Sequence, residues 1–300
     1  MKRWHKIHIL LLFSFILSTS SVLAQIGAFN RAQKLYGEKN TELAKPIIDS
    51  VVLNAETTNM FESHTLKAFI YYDLYKKTEK DQINSPLRDT VLNAIKKSNS
   101  LNPDTSYKIN NAKVLNAIIG HYRNISVKYS KESSLNYTLS LTAHQKFKEL
   151  SKLYTPNFNE KSIDVEYYNT IGSNYSELSN KNSKNEADRE IAKTALLKVL
   201  DIDQNNESAT YNLGILYYNL SVNIVKEMTE DLNLNNVDAV QENTKKLAKQ
   251  AEQLLLKLTN SVKFKNRATE ALYYIYRNLL DAQKTEEYKK KCIELNIKID

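Results

Sequence analysis

Helix-breaking residues are scarce in this chain, which has five glycines and four prolines among 300 residues. β-Sandwiches and β-barrels use glycine and proline at their many turns, so this supply is too small for an all-β fold. Long stretches rich in Leu, Lys, Glu, Ala and Asn run without a breaker. The sequence therefore predicts an all-α protein.

A single cysteine, Cys292, excludes an internal disulfide framework. Stability must then come from a buried apolar core, and a chain with 42% hydrophobic residues can supply one.

The N-terminal residues 1–24 have the three parts of an export signal. A positively charged start is followed by an apolar run over residues 7–17, and the small residue Ala24 precedes the expected cut. The apolar run is shorter than the roughly 20 residues of a membrane span, so an uncleaved anchor is the weaker alternative. No cysteine follows the cut to carry a lipid. We expect residues 25–300 to be a periplasmic or secreted protein without stable membrane insertion.

The positive charge of the chain is modest once the signal is removed. The net charge of +8 includes three basic and no acidic residues of the signal, which leaves 8 − 3 = +5. The lysines at 289–291 follow Glu286 and Glu287 by about one helical turn, as on a solvated helix face. This pattern and the export signal argue against nucleic acid as a partner.

Two segments of the chain resemble each other. EYYNTIGSNYSEL at 166–178 and ATYNLGILYYNL at 209–220 both place a glycine after an apolar residue and a tyrosine three positions later. Self-similarity at a spacing of tens of residues is typical of stacked helical repeats. Glycine costs a helix nearly 1 kcal/mol relative to alanine, so Gly172 and Gly214 indicate close packing between helices.

This pattern resembles the tetratricopeptide repeat (TPR) family, which stacks helical hairpins of about 34 residues. The positions that match the family's first and second helices are Leu213, Gly214 and Tyr217, and Ala192, Leu196 and Val199. The resemblance implies an all-α, TPR-like, right-handed superhelical solenoid of about five to six antiparallel helical hairpins. In it, glycine and alanine let the backbones of paired helices approach.

The resemblance is looser outside 166–220. It pairs the segments 64–77 with 86–101, 112–124 with 141–154, and 268–278 with 286–295, and residues 30–53 supply an incomplete opening hairpin. Gly172 and Gly214 are 214 − 172 = 42 residues apart, more than one repeat. We therefore expect a single repeat domain over 25–300 with insertions near 182–189 and 222–247, the second extending a long pair of helices.

One segment, 231–242, has the spacing of a calcium-binding EF-hand loop. Its matching residues are Asp231, Asn233, Asn235 and Glu242. Asn236 replaces the usual glycine, and Asp238 replaces an apolar residue. A polar hairpin tip that caps a helix is the favoured alternative.

Residues that could carry chemistry do not cluster in the sequence. His64, His121 and His144 are the histidines of the mature chain, and none pairs with another His or Cys at ligand spacing. A phosphate-binding loop, a serine elbow and a zinc-protease motif are all missing. We expect His64 to have a packing role and Cys292 to be a buried thiol. The sequence predicts no enzyme, no metal ligand and no cofactor.

The TPR family binds peptides in a concave groove lined by its first helices. The resemblance implies a partner-binding groove at these positions of this chain: Phe69, Tyr72, Asn169, Ser173, Tyr211, Asn212, Ile215, Tyr218, Asn219, Tyr274 and Arg277. Tyrosine and arginine are favoured anchors, and asparagine can hydrogen-bond an extended backbone. The alternative for each tyrosine is a half-buried surface residue.

These expectations favour a non-enzymatic protein–protein interaction scaffold or adaptor in the bacterial envelope, which holds a partner segment in its groove. Two alternatives stay open: a ligand-binding or catalytic protein on the same frame, and a self-associating structural envelope protein. A cavity with charged side chains at an insertion would favour the first alternative. Concentration-dependent assembly would favour the second.

Overall fold

The computed structural model describes residues 25–182, 185–231 and 237–299, and excludes the side chains of 227–231. Within these ranges the regular structure is helical, and no strand is present. The expected all-α fold is confirmed. The export signal, residues 1–24, lies outside the described residues, so its cleavage stays a prediction.

The described helices follow one another with short connections. They are α1 (25–37), α2 (Thr41–Leu53), α3 (Phe61–Thr78), α4 (Pro86–Ser100), α5 (Thr105–Tyr129), α6 (Tyr137–Tyr154), α7 (Glu160–Lys181), α8 (Glu186–Ile202), α9 (Glu207–Asp231), α10 (Val237–Leu256), α11 (Lys265–Asn278) and α12 (Ala282–Glu294). A short 3-10 turn, Ser134–Asn136, precedes α6.

The contacts within the chain divide it into two compact units, and the expected single repeat domain over 25–300 stays a prediction. The described residues up to Ile125 belong to the first unit together with Gln145–Pro156. The second unit contains Ser126–His144 and the described residues from Asn157 onward.

Helices of the second unit pack in successive neighbouring pairs. The pairs are α7 with α8, α9 with α10, and α11 with α12. Each second helix also contacts the next first helix, and the first helices α7, α9 and α11 contact one another in order. This neighbour-to-neighbour packing is that of a TPR-like helical repeat.

In the first unit, α3 packs between α2 and α4, in agreement with the pairing of 64–77 with 86–101. The loop after α3 is joined to the core by Arg88, which is 1% exposed. Its guanidinium lies 4.2 Å from the ring centroid of Tyr122 and donates hydrogen bonds to the carbonyl groups of Gln82, at 2.8 Å, and Ile83. These bonds satisfy two of the guanidinium nitrogens of a cation whose burial would otherwise be costly, and the Nε has no hydrogen-bond partner among the described residues.

The residues by which these repeats exceed a 34-residue hairpin lie within helices. α7 has 22 residues and α9 has 25, both longer than half of a 34-residue hairpin. Residues 186–189 of the first expected insertion form the first turn of α8, because the side chain of Asn185 accepts a hydrogen bond from the backbone N–H of Asp188. The described residues of 222–247 belong to the end of α9 and the start of α10.

Glycines set two of the helix contacts in the second unit. A Cβ added at Gly172 would lie 2.5 Å from the Cγ of Leu196 on α8, and one at Gly214 would lie 2.9 Å from the Cγ of Leu255 on α10. Both leucines are fully buried. The space beside each glycine is therefore filled by a leucine of the partner helix, whereas the sequence suggested an alanine.

We expect Gly172→Ala and Gly214→Ala each to lower the free energy of unfolding by about 1–3 kcal/mol, because the added methyl group overpacks against a buried leucine. The larger substitution Gly214→Leu should cost at least as much. Urea denaturation measures the change through the transition midpoint.

Gly120 on α5 supplies the matched control, since a Cβ there meets no described atom within 4 Å. Gly120→Ala should raise the free energy of unfolding by about 0.5–1 kcal/mol, because it removes the entropic penalty of glycine in a helix. If all three alanine variants shifted the midpoint equally, the close contacts at Gly172 and Gly214 would be wrong.

Candidate functional site

The predicted groove residues are divided between the two units. Phe69 and Tyr72 lie on α3 in the first unit, and the remaining nine lie on the first helices of the second unit. These nine are Asn169 and Ser173 on α7; Tyr211, Asn212, Ile215, Tyr218 and Asn219 on α9; and Tyr274 and Arg277 on α11.

The aromatic members of the second unit join α9 to the following hairpin. Tyr211 stacks on Phe264 with ring centroids 4.9 Å apart, and the hydroxyl of Tyr218 accepts a hydrogen bond of 3.2 Å from the side-chain amide of Asn278. Tyr211, Ile215 and Tyr218 share one face of α9 because they are spaced four and three residues apart. All three pack against the core of α10, α11 and α12.

Asparagine side chains join α7 to α9. Asn169 donates a 3.3 Å hydrogen bond to the Oδ1 of Asn206, which also accepts the backbone N–H of Ala209 at the start of α9. Near the other end of α7, the amide of Asn219 donates to the Oδ1 of Asn180 at 3.1 Å. These bonds hold the register of two neighbouring first helices.

The accessible part of this surface is mainly polar. Ser173 and Arg277 are exposed and Asn212 is half-buried. The guanidinium of Arg277 lies 5.7 Å from the ring centroid of Tyr274, within the range of a cation–π contact. Burial raises the pKa of the Tyr211 and Tyr218 hydroxyls, so both stay protonated at neutral pH and can donate hydrogen bonds.

The two predicted members in the first unit are half-buried. The ring of Tyr72 stacks with that of His121 at a centroid distance of 6.3 Å, and the Nζ of Lys76 lies 4.6 Å from the Tyr72 centroid. Burial lowers the pKa of His121 below its usual range, so its imidazole is neutral at pH 7. The Nδ1 of His121 also lies 3.1 Å from the hydroxyl of Tyr75, so the imidazole is held by a stacked ring and a hydrogen bond.

The other two histidines of the described residues, His64 and His144, are buried and hydrogen-bonded. His64 is 7% exposed and hydrogen-bonds the carbonyl oxygen of Thr58 at 2.8 Å, in agreement with its expected packing role. His144 stacks on Tyr167 with centroids 3.8 Å apart, and its Nε2 lies 2.8 Å from the Oδ1 of Asp164.

The structure describes Cys292 in full and the EF-hand-like segment only in part. Cys292 is fully buried, as expected, and burial raises its pKa, which disfavours the reactive thiolate. Among the described residues, no three His, Cys, Asp or Glu side chains are grouped to hold a metal ion. Residues 232–236 of the EF-hand-like segment lie outside the described residues, so the favoured interpretation of 231–242 as a polar hairpin tip stays a prediction.

A pocket of about 740 Å³ lies at the second expected insertion, where a cavity with charged side chains is the feature that favours the ligand-binding alternative. Residues of α9, α10 and the end of α11 line it: Ser221, Val222, Val225, Lys226, Thr244, Ala248, Arg277, Asn278, Leu279 and Leu280. The signal that the sequence offered was a pair of apolar residues, Val222 and Val225, three positions apart in a helical segment. Among the helices of the described ranges, none has the length and apolar character needed to cross a membrane.

Comparisons with known proteins add little to this description. No protein-family model and no curated protein matches the chain. A solved structure described as "Functional Characterization of Pseudomonas Aeruginosa pilF" is similar at 13% identity over 91% of both chains, with a TM-score of 0.32. A likeness this distant carries no argument, so the fold rests on the helix packing described above.

The stacking of Tyr211 on Phe264 predicts different outcomes for two substitutions. Tyr211→Ala should lower the free energy of unfolding by about 2–4 kcal/mol because it removes a half-buried ring between hairpins. Tyr211→Phe keeps the ring and should change the free energy by less than about 0.5 kcal/mol. Thermal unfolding followed by circular dichroism measures both, and a harmless alanine substitution would contradict the packing role.

Proposed function

We propose that the protein is an exported, non-enzymatic adaptor of the TPR type, which holds an extended segment of a protein partner along α7, α9 and α11. The observation that carries this proposal is the side-by-side contact of these three first helices. Asparagine pairs join the first two helices, and the tyrosines of α9 join it to the following hairpin.

The TPR assignment is supported by the burial of the positions that the family pattern uses. Leu213, Gly214, Ala192, Leu196 and Val199 are all buried in the second unit. Tyr175 is fully buried, and its hydroxyl donates a 3.0 Å hydrogen bond to the carbonyl oxygen of Ser133. These residues build a frame and leave neighbouring positions of the same helices for recognition.

The chemistry of the surface suits an extended peptide. Its amides and hydroxyls can donate hydrogen bonds to peptide carbonyl groups and accept them from N–H groups. Since Tyr211, Tyr218, Asn169 and Asn219 are already held by protein contacts, binding orders few additional side chains. A preorganised surface of this kind loses less conformational entropy when a partner binds. Arg277 suits an acidic side chain or a carboxylate of the partner.

The proposal is tested with substitutions that obstruct the surface and leave its packing intact. Ser173→Arg on α7 and Asn212→Arg on α9 should together reduce recovery of a cross-linked partner from native envelope extract by about tenfold or more, since a buried clash costs over 1.4 kcal/mol. The full chain, tagged at its C-terminus and expressed in its own cells, serves as bait.

Thr194→Arg is the matched control, because Thr194 is exposed on the second helix α8. It should leave the partner bound. If Thr194→Arg reduced recovery of the partner as much as the double variant, or if the double variant kept the partner, binding in the groove would be contradicted. Recovery of the chain's own copies alone would favour the self-associating alternative.

Export is a separate part of the proposal and rests on residues 1–24. We expect mass spectrometry of the protein purified from envelope fractions to show an N-terminus at Gln25. Ala24→Leu should block the cut and leave the precursor, because signal cleavage requires a small residue at that position. An uncut native chain in the cytoplasmic fraction would contradict the proposal.

A further inference from the structure

A smaller pocket of the second unit lies where α11 begins and α12 ends. It has a volume of about 270 Å³, and its lining includes Lys265 and Thr269 of α11 and Tyr288, Lys291 and Glu294 of α12. Because a water molecule occupies about 30 Å³ of the liquid, this space equals that of roughly nine waters, which suits a small ligand. None of these residues belongs to the proposed groove.

Two opposite charges of this pocket have no partner within the described part of the chain. Lys265 and Glu294 both line the pocket, and neither side chain forms a hydrogen bond or an ion pair with a described residue, including each other. The third charge, Lys291, is neutralised by Glu287, whose carboxylate oxygen lies 2.6 Å from its Nζ. A ligand that carries both a negative and a positive charge complements this lining better than a simple anion or cation does.

The two helix ends at the pocket have the same polarity as these side chains. α11 begins at Lys265 without a side-chain cap, so the N–H groups of its first turn add partial positive charge. α12 ends at Glu294, and its last carbonyl groups add partial negative charge. The beginning of α11 therefore favours a carboxylate of the ligand, and the end of α12 favours an ammonium group.

A buried side chain of the pocket has a hydrogen-bond donor without an acceptor. Tyr288 is 5% exposed, and its hydroxyl donates no hydrogen bond to a described residue. The neighbouring Nζ of Lys291, 4.1 Å from the ring centroid of Tyr288, is an ammonium group and cannot accept one. Since buried polar groups of native proteins are nearly always satisfied, this hydroxyl points to a ligand carboxylate.

The acceptors of the pocket suit a primary ammonium group. Thr259 and Thr269 also line the pocket, and their hydroxyls donate to backbone carbonyl groups three and four residues earlier, at 2.9 and 2.8 Å. Their oxygens are thus left as acceptors, as is the carboxylate of Glu294. A primary ammonium group has three N–H donors for them, whereas a quaternary one needs aromatic faces, and Lys291 covers a face of Tyr288.

We propose that this pocket binds a free amino acid. Its carboxylate is held by Lys265, the Tyr288 hydroxyl and the first turn of α11, and its ammonium group is held by Glu294 and the two threonine hydroxyls. This function goes beyond the proposed adaptor role and uses other residues, so each can fail without the other.

Isothermal titration calorimetry of the purified and dialysed protein with each of the common L-amino acids tests the proposal. At least one should bind saturably, and its amide, which lacks the carboxylate, and its N-acetyl derivative, which lacks the ammonium group, should each bind about tenfold or more weaker. Absence of binding by every amino acid, or equal binding of either derivative, would overturn the proposal. Displacement of the bound amino acid by an equal concentration of inorganic phosphate or trimethylglycine would also overturn it.

Substitutions then assign the binding to this pocket. Lys265→Gln and Glu294→Gln should each weaken the amino acid by about tenfold or more. Lys290→Gln is the matched control, because Lys290 is exposed on α12 outside the pocket and loses the same charge as Lys265. It should bind as the native chain does, and an equal loss in this control would contradict the site.

Tyr288→Phe separates binding from stability. It keeps the buried ring and removes a hydroxyl that donates to no described residue, so the melting temperature should stay unchanged while the affinity falls by about threefold or more. Native affinity in this variant would show that the hydroxyl does not contact the ligand and would overturn the assigned geometry.

Discussion

The close approach of a glycine on one helix to a buried leucine on its partner is the contact on which the second unit depends. Gly172 faces Leu196, and Gly214 faces Leu255. A side chain at either glycine would push two helices apart, because protein interiors have few voids and respond to a single added methyl group. Because the helices of each hairpin approach closely, α7, α9 and α11 contact one another. The asparagines of α7 and α9 can then form hydrogen bonds.

The tyrosines of α9 illustrate how one side chain can pack against a core and keep a polar tip at the surface. The rings of Tyr211 and Tyr218 pack against the core of the next hairpin, and the hydroxyl of Tyr218 reaches Asn278. Tyrosine suits this position because it has a large apolar body and a polar tip. Tyr211 and Tyr218 are half-buried, as the alternative from the sequence expected, and their role as binding anchors stays a prediction. The pocket beyond the groove differs, since Val222, Val225 and Leu280 leave apolar surface exposed there.

Several features were predictable from local pattern. The scarcity of breakers indicated the all-α class, the Gly172 and Gly214 motifs identified first helices, and the partners of 64–77 and 268–278 were correctly placed as α4 and α12. The location of the extra residues was less predictable. Residues 186–189 look like a polar loop, yet Asn185 caps α8 and brings them into the helix, because acidic and polar residues are as typical of a first helical turn as of a loop.

The sequence by itself determined the helical class and the two best repeats, because these depend on composition and periodicity along the chain. The tertiary structure alone decided what each groove residue contacts. Asn169 and Asn206 are 37 residues apart and Tyr218 and Asn278 are 60 apart, so no local pattern indicates that they meet. The tertiary structure also decided that Val222, Val225 and Leu280 line one pocket, since only the packing of three helices brings them together.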